Sequence, residues 1–168
     1  MEKVPVIIDC DPGHDDMVAL VLALGSQRLD VKAITNVAGN KVMEKVVKNT
    51  LNILNYCGAE CIVAPGASRP IVRAYTRTDS EGCHGVSGLD GFDFPRDNPL
   101  KPSDRKAVEV MAEILRSSKE KVVLIGTGPL TNLGLLIRTF PELCEEKVRG
   151  ISLMGGTCHF ILTRPFMG

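Results

Sequence analysis

A chain of 168 residues is long enough to bury one sizeable core, so a single domain is the default. Its 20 basic and 20 acidic residues cancel, and two Tyr, five Phe and no Trp offer few stacking surfaces; neither nucleic acid nor an anionic membrane is an expected partner. The longest apolar run, Met17 to Leu24, is too short for a bilayer, and six Cys without a C-x-x-C pair suit a reduced, cytoplasmic setting with no signal peptide ahead of the first strand.

Residues 4–8 predict the first strand, ending in the β-branched run Val6-Ile7-Ile8. Pro12-Gly13 turns the chain, and an apolar helix follows over 15–25. That helix is apolar almost all round, so it is expected to be buried against the sheet. Four carboxylates, Asp9, Asp11, Asp15 and Asp16, crowd the corner between strand and helix. Two like charges about 4 Å apart repel by roughly 4 kcal/mol at an effective dielectric of 20. A helix N-terminus supplies only about half a positive charge against them. Either some of these groups stay protonated or a cation sits among them; an all-oxygen set suits Ca²⁺ or Mg²⁺.

Residues 30–35 predict a second strand, followed by the polar stretch Asn36 to Asn40. A helix runs from about Lys41 to Tyr56, with Met43, Val46, Val47, Thr50, Leu51 and Leu54 inward, and Gly58 stops it. Residues 61–64 are a short third strand. Residues 65–101 carry no sustained period, and glycines at 82, 85, 88 and 91 surround His84 and would admit close backbone approach to a ligand. Order resumes with Ser103 or Asp104 as N-cap of a helix that carries Val108, Met111, Ala112 and Leu115 inside. Residues 122–125 are a strand, 126–129 a turn and 130–138 a helix. Another short helix follows Pro141, and 148–154 are the last strand. The alternation predicts an α/β fold with a doubly wound, mainly parallel sheet, its ligands gathered at the carboxyl ends of the strands. Asp9 to Asp16, Asn36 to Asn40 and Gly126 to Asn132 all fall on that edge, so one site is expected.

Asp9-Cys-Asp-Pro-Gly-His-Asp-Asp16 resembles the D-x-D-P-G-x-D-D signature of the inosine–uridine-preferring nucleoside hydrolases. Ala33-Ile-Thr-x-Val-Ala-Gly-Asn40, His84-Gly-x-Ser-Gly-Leu89, Thr127-Gly-Pro-Leu-Thr-Asn132 and Met154-Gly-Gly156 resemble its later blocks, in the same order. The resemblance implies a Rossmann-like fold and calcium-dependent hydrolysis of the N-glycosidic bond of ribonucleosides. It implies Asp11, Asp16 and the Thr127 carbonyl as calcium ligands, with Asp11 also the general base. Asp15 and Asn40 would hold the ribose hydroxyls, His84 would lie near the nucleoside, and Asp9 would be a supporting carboxylate. A homo-oligomer is a further expectation of the resemblance.

The likeness runs from about Val4 to Gly156, so residues 1–156 are expected to be the N-terminal part of such a domain and 157–168 a tail outside the family pattern. The family's later nucleoside-binding segment, its late calcium-binding Asp and its late acid have no counterpart here. His159, in the tail, is not a substitute for that acid. A truncated product that binds calcium weakly without turnover is one alternative, with sheet edge and apolar helix faces left uncovered. A haloacid-dehalogenase-like, Mg²⁺-dependent phosphatase is the other, since such enzymes also place D-x-D after a first strand. Pro12-Gly13 after the second Asp, and Gly-Thr-Gly after residues 122–125, count against it.

Several residues also have plain structural readings. His14 is as compatible with solvent as with a ligand, Cys10 reads as strand packing, and Asn132 as a helix-entry cap.

Overall fold

A computed structural model describes residues 2–76 and 83–156. Strand β1 (Val4–Cys10) is buried along nearly its whole length, and its branched apolar run suits an interior parallel strand. Helix α1 (His14–Gly25), strand β2 (Leu29–Asn36), helix α2 (Met43–Cys57) and strand β3 (Ile62–Pro65) follow. After a long irregular stretch come helix α3 (Ala107–Ser117), strand β4 (Val122–Gly126), helices α4 (Thr131–Thr139) and α5 (Pro141–Lys147), and strand β5 (Val148–Leu153).

The strands form one sheet in the order β3-β2-β1-β4-β5, and every pairing is parallel. The chain winds outward from β1 to β3, then returns through α3 to pair β4 on the other side of β1. The switch point therefore lies between β1 and β4, where an open α/β sheet leaves a crevice at its carboxyl edge. The expected doubly wound sheet is the one observed.

Alternation along β1 divides the core in two. Val6, Ile8 and Cys10 pack with Leu20 and Ala23 of α1 and Ile53 and Leu54 of α2. Ile7 packs on the other face with Met111 and Leu115 of α3, Leu133 and Leu136 of α4 and Cys144 of α5. The same alternation sends Asp9 toward α4, which decides its surroundings.

Two local expectations are overturned. Helix α1 is not buried all round: Leu20 is 1 % exposed, but Val18, Val21 and Leu22 are 55, 42 and 68 % exposed. An all-apolar helix on a sheet still has an outer face, and among the described residues nothing covers this one. Strand β5 is likewise open, with Ile151 and Leu153 about half exposed. The second correction concerns α3, whose cap is Lys106 rather than Ser103 or Asp104. Glu109 reaches back to the Lys106 N–H at 2.9 Å, while Ser103 donates its own N–H to Val63 and turns the chain with its hydroxyl. Helix α2 ends as expected on Gly58, whose φ of 60° is the left-handed conformation that favours glycine. Gly82, His159 and the whole 157–168 stretch lie outside the described residues.

Candidate active site

The acidic corner sits at the switch point, and its four carboxylates occupy different environments. Asp11 and Asp16 are 5 % and 3 % exposed. The Asp11 N–H donates to Asp16 Oδ2 at 3.1 Å, so the turn through Pro12-Gly13 folds the second carboxylate back onto the strand end. Asn40, after β2, closes on Asp11 from the side: its N–H donates to Asp11 Oδ2 at 2.6 Å, and its side-chain amide to the Asp11 carbonyl at 3.1 Å. From β4 comes the turn Thr127-Gly-Pro129. The Thr127 N–H donates to the Asp9 carbonyl at 2.9 Å. A Cβ on Gly128 would sit 2.6 Å from Asp11 Oδ1, so only glycine lets this turn lie against that carboxylate.

Burial raises the Asp16 carboxyl above its ordinary value, opposed by the neighbouring Thr127 side chain and raised further by Asp15. The Thr127 hydroxyl is nevertheless buried with no partner in hydrogen-bond geometry, as is Asp9 Oδ2.

Asp9 lies behind this corner, 1 % exposed. Its Oδ1 accepts from the Thr35 hydroxyl at 2.6 Å and from Asn132 Nδ2 at 2.8 Å. Those bonds do not offset burial, which lifts its carboxyl from an ordinary 3.8 to about 7. Burial also pushes the Cys10 thiol far up, which fits an inert packing residue and not a nucleophile.

Asn132 is the residue that the sequence undersold. It is not the cap of α4, which is Leu130. Fully buried, it donates to Asp9 and to the Asn36 carbonyl at 2.9 Å, and accepts the Ala67 N–H at 2.8 Å. One carboxamide thus ties α4 to the ends of β1 and β2 and to the chain after β3. Asn49 was also passed over, although it falls on the inner stripe of α2, three residues after Val46. Its Nδ2 donates to the carbonyls of Pro12 and Ser87 at 3.3 and 3.0 Å. A polar residue in register with buried apolar ones was the available signal.

Asp15 is the outward member of the four, with 59 % of its side chain exposed, and His84 Nε2 lies 3.8 Å from its Oδ1. The His14 N–H donates to His84 Nδ1 at 3.3 Å, and the two rings meet. His14 is therefore engaged with another residue of the chain. The structure thus gathers Asp9, Asp11, Asp16, Asn40 and Thr127 into one bonded corner, with Asp15 and His84 at its mouth.

No group of three or more His, Cys, Asp or Glu among the described residues is spaced to hold a metal ion. Asp11 and Asp16 are the two buried carboxylates that lie together in this corner, and carboxylate oxygens are donors that suit a hard cation.

The sequence profile of the family described as inosine-uridine preferring nucleoside hydrolase matches residues 6–164. The chain belongs to the inosine-uridine preferring nucleoside hydrolase family. Within it, the pyrimidine-specific ribonucleoside hydrolase RihA of Escherichia coli O1:K1 is 47 % identical over 153 residues, which are 90 % of this chain and 48 % of that protein. The purine-preferring ribonucleoside hydrolase from Gardnerella vaginalis superposes with a TM-score of 0.83 at 32 % identity, covering 91 % of this chain and 49 % of that one. A plant nucleoside hydrolase, PpNRh1, superposes at 0.84 and 30 % identity, covering 93 % and 49 %. This member of the family thus spans about half the length of the curated relatives it matches. Among its described residues, no helix is long and apolar enough to cross a membrane.

Proposed function

We propose that this chain forms the calcium- and ribose-binding part of an enzyme that hydrolyses the N-glycosidic bond of ribonucleosides to ribose and free base. The observation that carries this reading is the burial of two carboxylates, Asp11 and Asp16, side by side at the switch point under the Thr127 turn. Two buried carboxylates are costly unless a proton or a cation balances them. An all-oxygen donor set suits Ca²⁺, which Asp11, Asp16 and the Thr127 carbonyl would hold.

Each side chain then has a part in the chemistry. Calcium, when bound, supplies positive charge that orients the ribose diol and makes a neighbouring water easier to deprotonate. Asp11 takes the proton from the attacking water; the Asn40 N–H fixes its carboxylate for that role. Asp15 and Asn40 hold the ribose hydroxyls from the exposed rim of the corner. Cleaving the bond builds oxocarbenium character on the sugar, which the carboxylates stabilise. His84 borders the nucleoside, and Asp9 supports the corner from behind. The expected setting is the reduced cytoplasm, with a small-molecule substrate and a second copy of the chain as partners, and no nucleic acid or membrane.

The test is a ribose titration of the isotope-labelled 168-residue chain, followed by backbone NMR with and without Ca²⁺. Asp15 and Asn40 signals are expected to move with ribose only when Ca²⁺ is present, and Asp16→Asn to abolish the response. No movement at millimolar ribose and Ca²⁺ would sink the reading.

A further inference from the structure

The stretch from His84 to Asp90 is a self-capped turn. The Asp90 carboxylate accepts from the Val86 N–H at 2.8 Å, the Ser87 N–H at 2.9 Å and the Ser87 hydroxyl at 2.5 Å. The Asp90 N–H returns to the His84 carbonyl at 3.3 Å, closing the turn. The turn is seated on α2 by Lys45, whose Nζ donates to the Val86 carbonyl at 2.9 Å, and by Asn49 through Ser87.

One side chain reaches both ends of this turn. His14 Nε2 lies 2.9 Å from the Asp90 carbonyl, at the far end. Its Nδ1 lies 3.2 Å from His84 Nδ1, at the near end, and its main-chain N–H donates to that same nitrogen. The two ring centroids are 5.4 Å apart, tilted by 43°. Gly13 makes the seat possible, because a Cβ there would come within 2.7 Å of the His84 ring.

We propose that His14 is a positioning residue for His84: its ring Nε2–H holds the Asp90 carbonyl and its main-chain N–H holds His84 Nδ1, so the seated 84–90 turn fixes which ring nitrogen of His84 carries the proton and faces Asp15. A nitrogen that accepts the His14 N–H holds no proton of its own, so the His84 proton sits on Nε2. Nε2 is the nitrogen 3.8 Å from Asp15 Oδ1, and a protonated nitrogen is what a carboxylate attracts. The other tautomer would turn a lone pair toward Asp15 and leave the His14 N–H without an acceptor. Residues 70 positions apart in sequence are thereby locked into one relative placement. The proposal rests on the reading that Asp15 and His84 border the ribose, and adds the group that aims His84.

Ring ¹⁵N correlation spectra of the histidine-labelled chain test it, in the wild type, His14→Ala and His14→Gln. The wild type is expected to show His84 as a single Nε2–H tautomer with two well-separated ring nitrogens. His14→Ala keeps the main-chain N–H but loses the ring bond to Asp90, so the turn is no longer held against that N–H and the separation should shrink to about half or less as the tautomers interchange. In His14→Gln, whose carboxamide can still donate to the Asp90 carbonyl, the wild-type pattern should return. An unchanged His84 pattern in His14→Ala would overturn the proposal. So would an averaged His84 pattern in His14→Gln while the β1 and β4 amide signals match the wild type, and this variant decides the matter if His14→Ala does not fold. Ribose added with Ca²⁺ separates the two ideas. Absence of any ribose response at His84 counts against the site reading, while the comparison of His14 variants stands on its own.

Discussion

Asp9 gives the sharpest physical test, because its surroundings favour the protonated form. Its carboxyl rises from an ordinary 3.8 to about 7, chiefly through burial, so the folded protein binds the proton more tightly than the unfolded chain does. Between those two values the native state holds more protons than the unfolded state, and stability must fall as pH rises. A shift of about three units, at roughly 1.4 kcal/mol each, corresponds to about 4 kcal/mol between pH 4 and pH 8. Against the 5–15 kcal/mol that is typical of a whole domain, roughly, that is a large share. Asp9→Asn removes the titration while keeping an oxygen that accepts from Thr35 and Asn132, so its stability should lack this slope. Asp16 is also raised and titrates in both proteins, and its charge adds a smaller part to the rise at Asp9. The informative quantity is therefore the difference between them, measured by urea unfolding with a chelator present. It should grow in favour of Asp9→Asn by about 4 kcal/mol across that window. Curves that stay parallel within about 1 kcal/mol would show that Asp9 is ionised throughout, and the reasoning would fail.

Three further outcomes follow from the same geometry. Asn132→Ala takes their donor from the buried Asp9 Oδ1 and Asn36 carbonyl, at about 1–3 kcal/mol each, and the acceptor from the part-buried Ala67 N–H, so urea unfolding should show a loss of at least about 2 kcal/mol. Gly39→Ala drives a methyl group into Asp11 Oδ2 and the Pro129 ring, and calorimetry should find Ca²⁺ affinity reduced about tenfold or more with the circular dichroism spectrum preserved. Leu22→Lys alters a side chain that is 68 % exposed, so stability should change by less than about 0.5 kcal/mol, while sedimentation velocity should show less self-association than in the wild type.

The sheet was legible in the sequence because interior parallel strands write themselves as short β-branched runs, and β1, β2 and β4 each end in a polar stretch on the same edge. What α1 does was harder to read. A helix with no polar stripe carries no record of which side faces inward, so Leu20 and Leu22 look alike in sequence and part company in the structure. Ser103 is a good cap by type, but it is spent on a turn that delivers its N–H to Val63, and the helix starts later. Asn132 and His14 escaped for a related reason. Each is locally plausible as a cap or a solvated turn residue, and the partners that give it a role lie 123 and 70 residues away. Their roles are set by which strand ends the topology brings together.

The four carboxylates of the opening corner posed a choice between protonation and a cation, and the fold divides the problem among three environments. Asp9 is turned to the α4 side of the sheet, where burial favours its neutral form up to about pH 7. Asp15 is turned outward, where water and His84 meet its charge. Asp11 and Asp16 remain, buried together and linked through one main-chain N–H. Half a helix dipole does not balance two such charges, and the neutral donors around them do not either. On the proposed reading a divalent ion would carry the matching charge, with Asp11, Asp16 and the Thr127 carbonyl as the groups to hold it. Three oxygen donors would fill only part of a calcium shell of about six to eight, so the proposed ion would take its remaining ligands from groups outside these three segments.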